Sequence, residues 1–260
     1  MSRPTAPRDA GGRAGGTSRV FAVGGRRAVA EAVRAGRARR VLAVRGSRRT
    51  QALRALLQEA EATGLTIEWA DHQGLDQLGL ADHQGVAALV MPPPELDERD
   101  LHSRAFDRDA LVVVLDGITD PQNLGACARS AEGAGAALML VRKRRAAPST
   151  PAAVRASAGA LLHLPVARVP NLPRVLEHLK DRGFFVMGLD HRAPADLYGP
   201  LPPPGPLALV VGSEGTGISR LVRESCDQLV SIPMFGRTSS LNAAAALAVA
   251  LFAYVRRPRG

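Results

Sequence analysis

The chain is poor in cysteine and aromatic residues, has almost no lysine, and contains no long apolar run. Each shortage closes off a class of protein. Two cysteines in 260 residues, Cys127 and Cys226, form no Cys-x-x-Cys pair, so no disulfide framework is supported and both read as small buried hydrophobes. Six histidines are scattered without ligand spacing, and no metal is expected. Phe, Tyr and Trp together make up 3%, which argues against an aromatic platform for stacking bases. The longest apolar candidate, Ala243 to Val255, is shorter than a membrane span and reads as a buried helix, so no membrane association is expected. No hydrophobic segment follows the Arg-, Gly- and Pro-bearing N-terminus, which makes the expected compartment cytoplasmic.

One further scarcity is local. Residues 1–54 hold 14 arginines against only Asp9 and Glu31, net +12, whereas the whole chain carries +10. The remainder is therefore slightly acidic. Of the 34 basic residues 32 are arginine, and a compositional bias toward Arg, Ala and Gly explains that choice over lysine. Bias does not explain why acids are missing from one end. A polyanion-facing first domain joined to a nearly neutral second one does.

What is present divides the chain accordingly. Residues 1–17 read as a disordered basic tail, and 18–92 as a small α/β domain. In that domain a helix spans Arg26 to Arg34 and another Thr50 to Thr63, with strands at Val41–Val44, Leu65–Trp69 and Val86–Val90. Pro92-Pro93-Pro94 opens an expected linker, 93–109. From 110 to 260, apolar strands at Leu111–Leu115, Ala137–Val141, Phe184–Leu189, Leu207–Val211 and Leu229–Ile232 are mostly separated by helix-length segments. Near-continuous apolar strands alternating with helices indicate a parallel sheet covered on both faces.

Three segments of this second part pair a strand with a polar loop. In LVVVLDGITDPQNLGACARSAEGAGA, residues 111–136, a buried strand turns at Asp116-Gly117 into a helix from about Asn123. Asn123 and Arg129 are six residues apart and can share a rim only if Asn123 precedes the helix. Asn123 reads either as a helix cap or as a side chain at the strand end, where ligands bind in parallel α/β sheets. Arg129 is either a surface arginine or, among Ala126, Cys127, Ala128 and Ala131, a buried one that needs an anion. The second segment, LALVVGSEGTGIS (207–219), places Gly212, Gly215 and Gly217 in a strand-to-helix loop with Glu214 as a hydrogen-bond partner or amine ligand. Its glycine spacing is not the dinucleotide fingerprint. The third, LVSIPMFGRTSSLNAAAALAVALFAYV (229–255), runs from a strand through Ser240, Leu241 and Asn242 into an Ala-rich helix suited to a crowded core or a subunit interface.

In this order and spacing the three segments resemble the SPOUT-class methyltransferases of the TrmH family, and VFAVGGRRAV and HQGVAALV resemble that family's small L30e-like RNA-binding domain. The similarity runs from about residue 18 to 257. It implies an α/β trefoil-knot domain with a parallel sheet, S-adenosyl-L-methionine as methyl donor, a homodimer with sites completed across its interface, and RNA as partner. The implied reaction is 2′-O-ribose methylation, with a guanosine of 23S rRNA as the expected target; transfer RNA, an antibiotic-resistance role and a non-catalytic assembly factor stand as alternatives. Carried over, Gly212, Ile232 and Leu241 bind the cofactor, and Asn123, Arg129, Glu214, Ser240 and Asn242 form the catalytic polar set. Arg129 acts there as a base or as a phosphate and oxyanion clamp. A guanidinium holds its proton so strongly that a neutral base form is costly, which favours the clamp. Two positions depart from the family pattern: Ala244 stands where a serine is common, and Leu162 where many relatives carry glutamate.

Overall fold

The computed structural model describes residues 20–255 except 47–49, 81, 94, 201 and 203; the expected tail over 1–17 lies outside the described residues. The first unit runs β1 (Phe21–Gly24), α1 (Arg26–Arg34), β2 (Ala38–Val44), α2 (Gln51–Ala62), β3 (Ile67–Ala70), α3 (His72–Asp76) and β4 (Val86–Val90). Its sheet has the order β1-β4-β2-β3, with β4 antiparallel to both neighbours and β2 parallel to β3. Helix α1 is set by Ala28, Val29, Ala32 and Val33, a spacing that buries one stripe and leaves the arginines outside.

The second unit continues with β5 (Glu95–Leu96), α4 (Glu98–Ser103), β6 (Leu111–Asp116), α5 (Pro121–Gly133), β7 (Leu138–Arg142), α6 (Pro151–Ala156), β8 (Val166–Val169) and α7 (Leu172–Asp181). It ends with β9 (Phe185–Leu189), β10 (Ala195–Asp196), β11 (Leu207–Gly212), α8 (Arg220–Glu224), β12 (Gln228–Ser231) and α9 (Ala243–Val255). The sheet order is β10-β12-β9-β11-β6-β7-β8-β5, and every pairing is parallel. Because successive side chains point to opposite faces, each central strand serves two cores. Val113, Leu115, Leu209 and Val211 join the layer containing α5 and α9, while Val112, Val114, Ala208 and Val210 join the layer containing α7. That two-sided burial is why the strands read as unbroken apolar runs.

Segment 93–109, expected as a linker, carries β5 and α4. Strand β5 extends the second sheet beside β8, Leu101 is buried, and Asp97 caps α4 in a reciprocal box with Asp100. The backbone N–H groups of Asp100 and Arg99 hold the Asp97 carboxyl below its usual range. The two units also touch directly. Arg37 donates from Nε to the Leu162 carbonyl at 3.1 Å and from Nη1 to that of Pro92 at 2.9 Å, and His163 Nε2 lies 2.9 Å from Glu31 Oε2. Burial at this seam lowers the Arg37 pKa. Leu162, one of the two departures from the family pattern, is 2% exposed and fills the shared core.

Candidate active site

In a parallel sheet all strands end on one edge, so the loops after β6, β9, β11 and β12 gather there. The loops after β9, β11 and β12 enclose a cleft of about 510 Å³. Gly212, Ile232 and Leu241 line it, as do Glu214, Ser240 and Asn242. Six of the eight residues singled out in the sequence therefore meet at one hollow. The closest packing is at Gly212: a Cβ there would fall 2.0 Å from the Gly217 carbonyl carbon and 2.2 Å from Ile218 N. The loop folds back onto the strand end because nothing projects from that position. Gly217 N donates to Ser213 O at 2.9 Å and closes the turn.

Asn123 reaches this rim from β6's side, its Nδ2 donating to Glu214 Oε1 at 3.2 Å across 91 residues of sequence. It neither precedes the helix nor caps it. Asp120 is the cap, accepting from the N–H groups of Gln122 and Asn123, and Pro121 supplies the pre-set φ of the first turn. With Asn123 inside α5, a separation of six residues turns Arg129 roughly 120° away from it. Of the two readings of Arg129, the buried one fails and the exposed one holds. Leu124, Cys127, Ala128 and Ala131 face the core, while Arg129 is exposed and does not line the cleft. Ser240 is exposed; Asn242 is exposed too and caps α9, its Oδ1 accepting from Ala245 N at 2.7 Å.

Two carboxylates behind the rim carry weight that the sequence reading missed. Asp116 ends β6 at 3% exposure, accepting from Arg142 Nε at 2.8 Å and from Ser219 N at 2.7 Å; Arg142 Nη2 also donates to Ser219 Oγ. This ties the ends of β6 and β7 to the far end of the glycine-rich loop. Asp190, at the end of β9 and 6% exposed, lines the cleft and accepts from Arg192 N at 2.9 Å. Arg223 Nη2 lies 2.7 Å from its Oδ2, an ion pair by distance that is not aligned as a hydrogen bond. The available signal was a carboxylate closing an otherwise apolar strand, which burial obliges to find a partner. Among the described residues no group of three His, Cys, Asp or Glu could hold a metal.

The SpoU rRNA Methylase family model matches residues 110–252, and a model for RNA 2'-O ribose methyltransferase substrate binding matches residues 22–96. The chain belongs to the SpoU rRNA methylase family. This SpoU methylase is 42% identical over 212 residues to the 23S rRNA (guanosine-2'-O-)-methyltransferase RlmB of Photobacterium profundum, covering 81% of this chain and 86% of the relative. Its structure resembles that of the SpoU methyltransferase AviRb from Streptomyces viridochromogenes, solved in complex with AdoMet. There the TM-score is 0.72 at 32% identity, over 91% of this chain and 90% of the other. A solved RNA 2'-O ribose methyltransferase gives a TM-score of 0.74 at 27% identity, over 92% and 89% of the two chains. The strand-end cleft thus lies in the part of the SpoU methylase that the first family model covers, and the arginine-rich unit in the part covered by the substrate-binding model.

Proposed function

We infer that the protein transfers a methyl group from S-adenosylmethionine to a ribose 2′-hydroxyl of RNA, with a guanosine of 23S rRNA as substrate inside the cell. The observation that carries this reading is the convergence of three strand-end loops on one cleft in a chain of this family. The cleft fits the cofactor. About 510 Å³ lies within the range of small-molecule sites, its walls include Ile232 and Leu241, and the glycine cradle at Gly212 lets backbone groups approach closely. S-adenosylmethionine supplies an electrophilic methyl carbon on a sulfonium sulfur.

The chain's own residues would align the hydroxyl with that carbon. Restricting the approach of the two groups supplies several kcal/mol before any bond changes. Gly212, Ile232 and Leu241 hold the adenosine part. Asn123 and Glu214, already hydrogen-bonded, position the ribose, and Ser240 and Asn242 line the same cleft as Glu214. Arg129 serves a second copy of the chain. Its exposure on α5, away from its own cleft, supports a guanidinium delivered across a homodimer interface, where it clamps the phosphate and developing oxyanion. Phe235 at 97% exposure and Phe252 at 52%, in the loop before α9 and on α9, supply apolar surface for that contact. The knotted topology expected for this domain draws support from the chain path. It crosses β9 to form β12 and then returns to pack α9 against α5.

The test is transfer of labelled methyl from S-adenosylmethionine to ribosomal RNA by the full chain, followed by mapping of 2′-O-methyl positions. One guanosine in 23S rRNA is the expected product. Cofactor binding without transfer to any RNA would point to a non-catalytic RNA-binding factor, and transfer to transfer RNA alone would overturn the substrate.

A further inference from the structure

The loop after β7 presents Lys143, Arg144 and Arg145 in succession, all three exposed. Among the described residues none of these side chains takes part in an ion pair. The loop's backbone is nevertheless held on both sides. Arg142, immediately before it, is fastened by Asp116 and Ser219. Lys143 N donates to Val169 O at 2.7 Å, and Ala147 N donates to Ile118 O at 2.9 Å. Arg145 sits at φ 57, a left-handed conformation that an arginine keeps only where its surroundings impose it.

Its place in the fold matters more than its charge. Ile118 belongs to the loop that leads into α5, so the three cations stand beside the helix start that carries Asn123. In strand order β7 adjoins β6 and is two strands from β11, which puts this loop roughly 10 Å from the glycine-rich turn along the same edge. The cofactor does not account for them. None of the three lines the cleft, and a molecule bearing a sulfonium, an ammonium and one carboxylate has no use for three more cations. Basic side chains behind the cleft are neutralised instead: Arg142 by Asp116, Arg223 by Asp190 and Arg220 by Glu224.

We propose that Lys143, Arg144 and Arg145 form a phosphate clamp on the catalytic unit, gripping the RNA strand that flanks the target ribose. The inference rests on the methyltransferase reading above and adds a second anchoring point to the arginine-rich first unit. Phosphate contacts of this kind set register without reading sequence.

The experiment compares the wild type with K143A/R144A/R145A and with the charge reversal K143E/R144E, which leaves the strained position 145 untouched. Methyl transfer to ribosomal RNA is measured across salt, and cofactor affinity by calorimetry. The triple variant should raise the RNA KM roughly tenfold and flatten the log–log salt slope by about 2, at about 0.7 per phosphate on a single strand. Its kcat and S-adenosylmethionine affinity should stay within about twofold, since neither charge nor contact in the cleft changes. The reversal should weaken RNA further. An RNA KM and salt slope unchanged in both variants overturns the clamp. Failure of the wild type to methylate RNA at all strikes the methyltransferase reading itself.

Discussion

Gly212→Ala is the most direct perturbation of the cofactor cradle. The added methyl would lie 2.0 Å from Gly217 C, 2.2 Å from Gly217 O and 2.2 Å from Ile218 N, all backbone atoms. Ordinary carbon contacts lie at about 3.5–4.0 Å, so the loop must retreat by roughly 1.5 Å. Three restraints oppose that movement. Gly217 N is bonded to Ser213 O, Ser219 N is bonded to Asp116 Oδ2, and Ile218 is 2% exposed. Overpacking of a well-filled site costs 1–3 kcal/mol, and with no flexible side chain to yield the cost here should be about 3 kcal/mol. At about 2–4 °C per kcal/mol for a chain of this size, Tm should fall by about 6–12 °C. Any relaxation that relieves the clash lifts the loop off the strand end, so S-adenosylmethionine affinity should drop more than about tenfold. Calorimetric melting and titration measure both. A variant whose Tm and cofactor affinity match the wild type would refute the argument that this strand end and loop must touch.

Asp116→Ala strips Arg142 of its ion pair and leaves Ser219 N without an acceptor, a loss of about 2–4 kcal/mol once the partial exposure of Arg142 is discounted. Asp116→Asn, which still accepts from Ser219 N, should lose less; urea unfolding orders the three proteins. Burial pushes the thiols of Cys127 and Cys226 up from 9.0 to about 12. Both folded values exceed the unfolded one, so the stability they contribute is complete below pH 9 and is lost as the pH climbs toward 12. Unfolding followed from pH 8 to 11 should show this decline, and C127A/C226A should flatten it. Finally, subunits carrying Arg129→Ala and subunits carrying Glu214→Ala, each inactive alone, should recover about a quarter of wild-type turnover when randomly mixed, because half the dimers then hold one intact site of two. No recovery after proven subunit exchange would place Arg129 and Glu214 in the same protomer's site.

How far the fold could be read from residues depended on where the information sits. Strands β4, β6, β9 and β11 fall within one residue of the apolar runs that announce them, because burial on both faces writes itself into consecutive residues. Helices α1 and α9 coincide with their expected spans for the same local reason. Short pieces with mixed polarity escaped. Strand β8 is four residues between Pro165 and Pro170, and β5 and α4 were hidden in a charged stretch that looked like a linker.

By itself, then, the amino-acid order determined the two-part layout, the parallel sheet and the place of six of the eight singled-out residues around the cleft, since strand-then-loop patterns put them on one edge whatever the strand order. Tertiary structure alone decided which loops become neighbours. Placing β9 between β11 and β12, and β6 beside β11, is what carries Asn123 to Glu214 and Asp116 to Ser219 across 91 and 103 residues. It also decided the direction of Arg129. Alanines surround that residue in sequence on both sides, but a helix beginning at Pro121 turns only one stripe inward, and the guanidinium is on the other. Periodicity along a chain records what is buried; it holds no record of which distant segment does the burying.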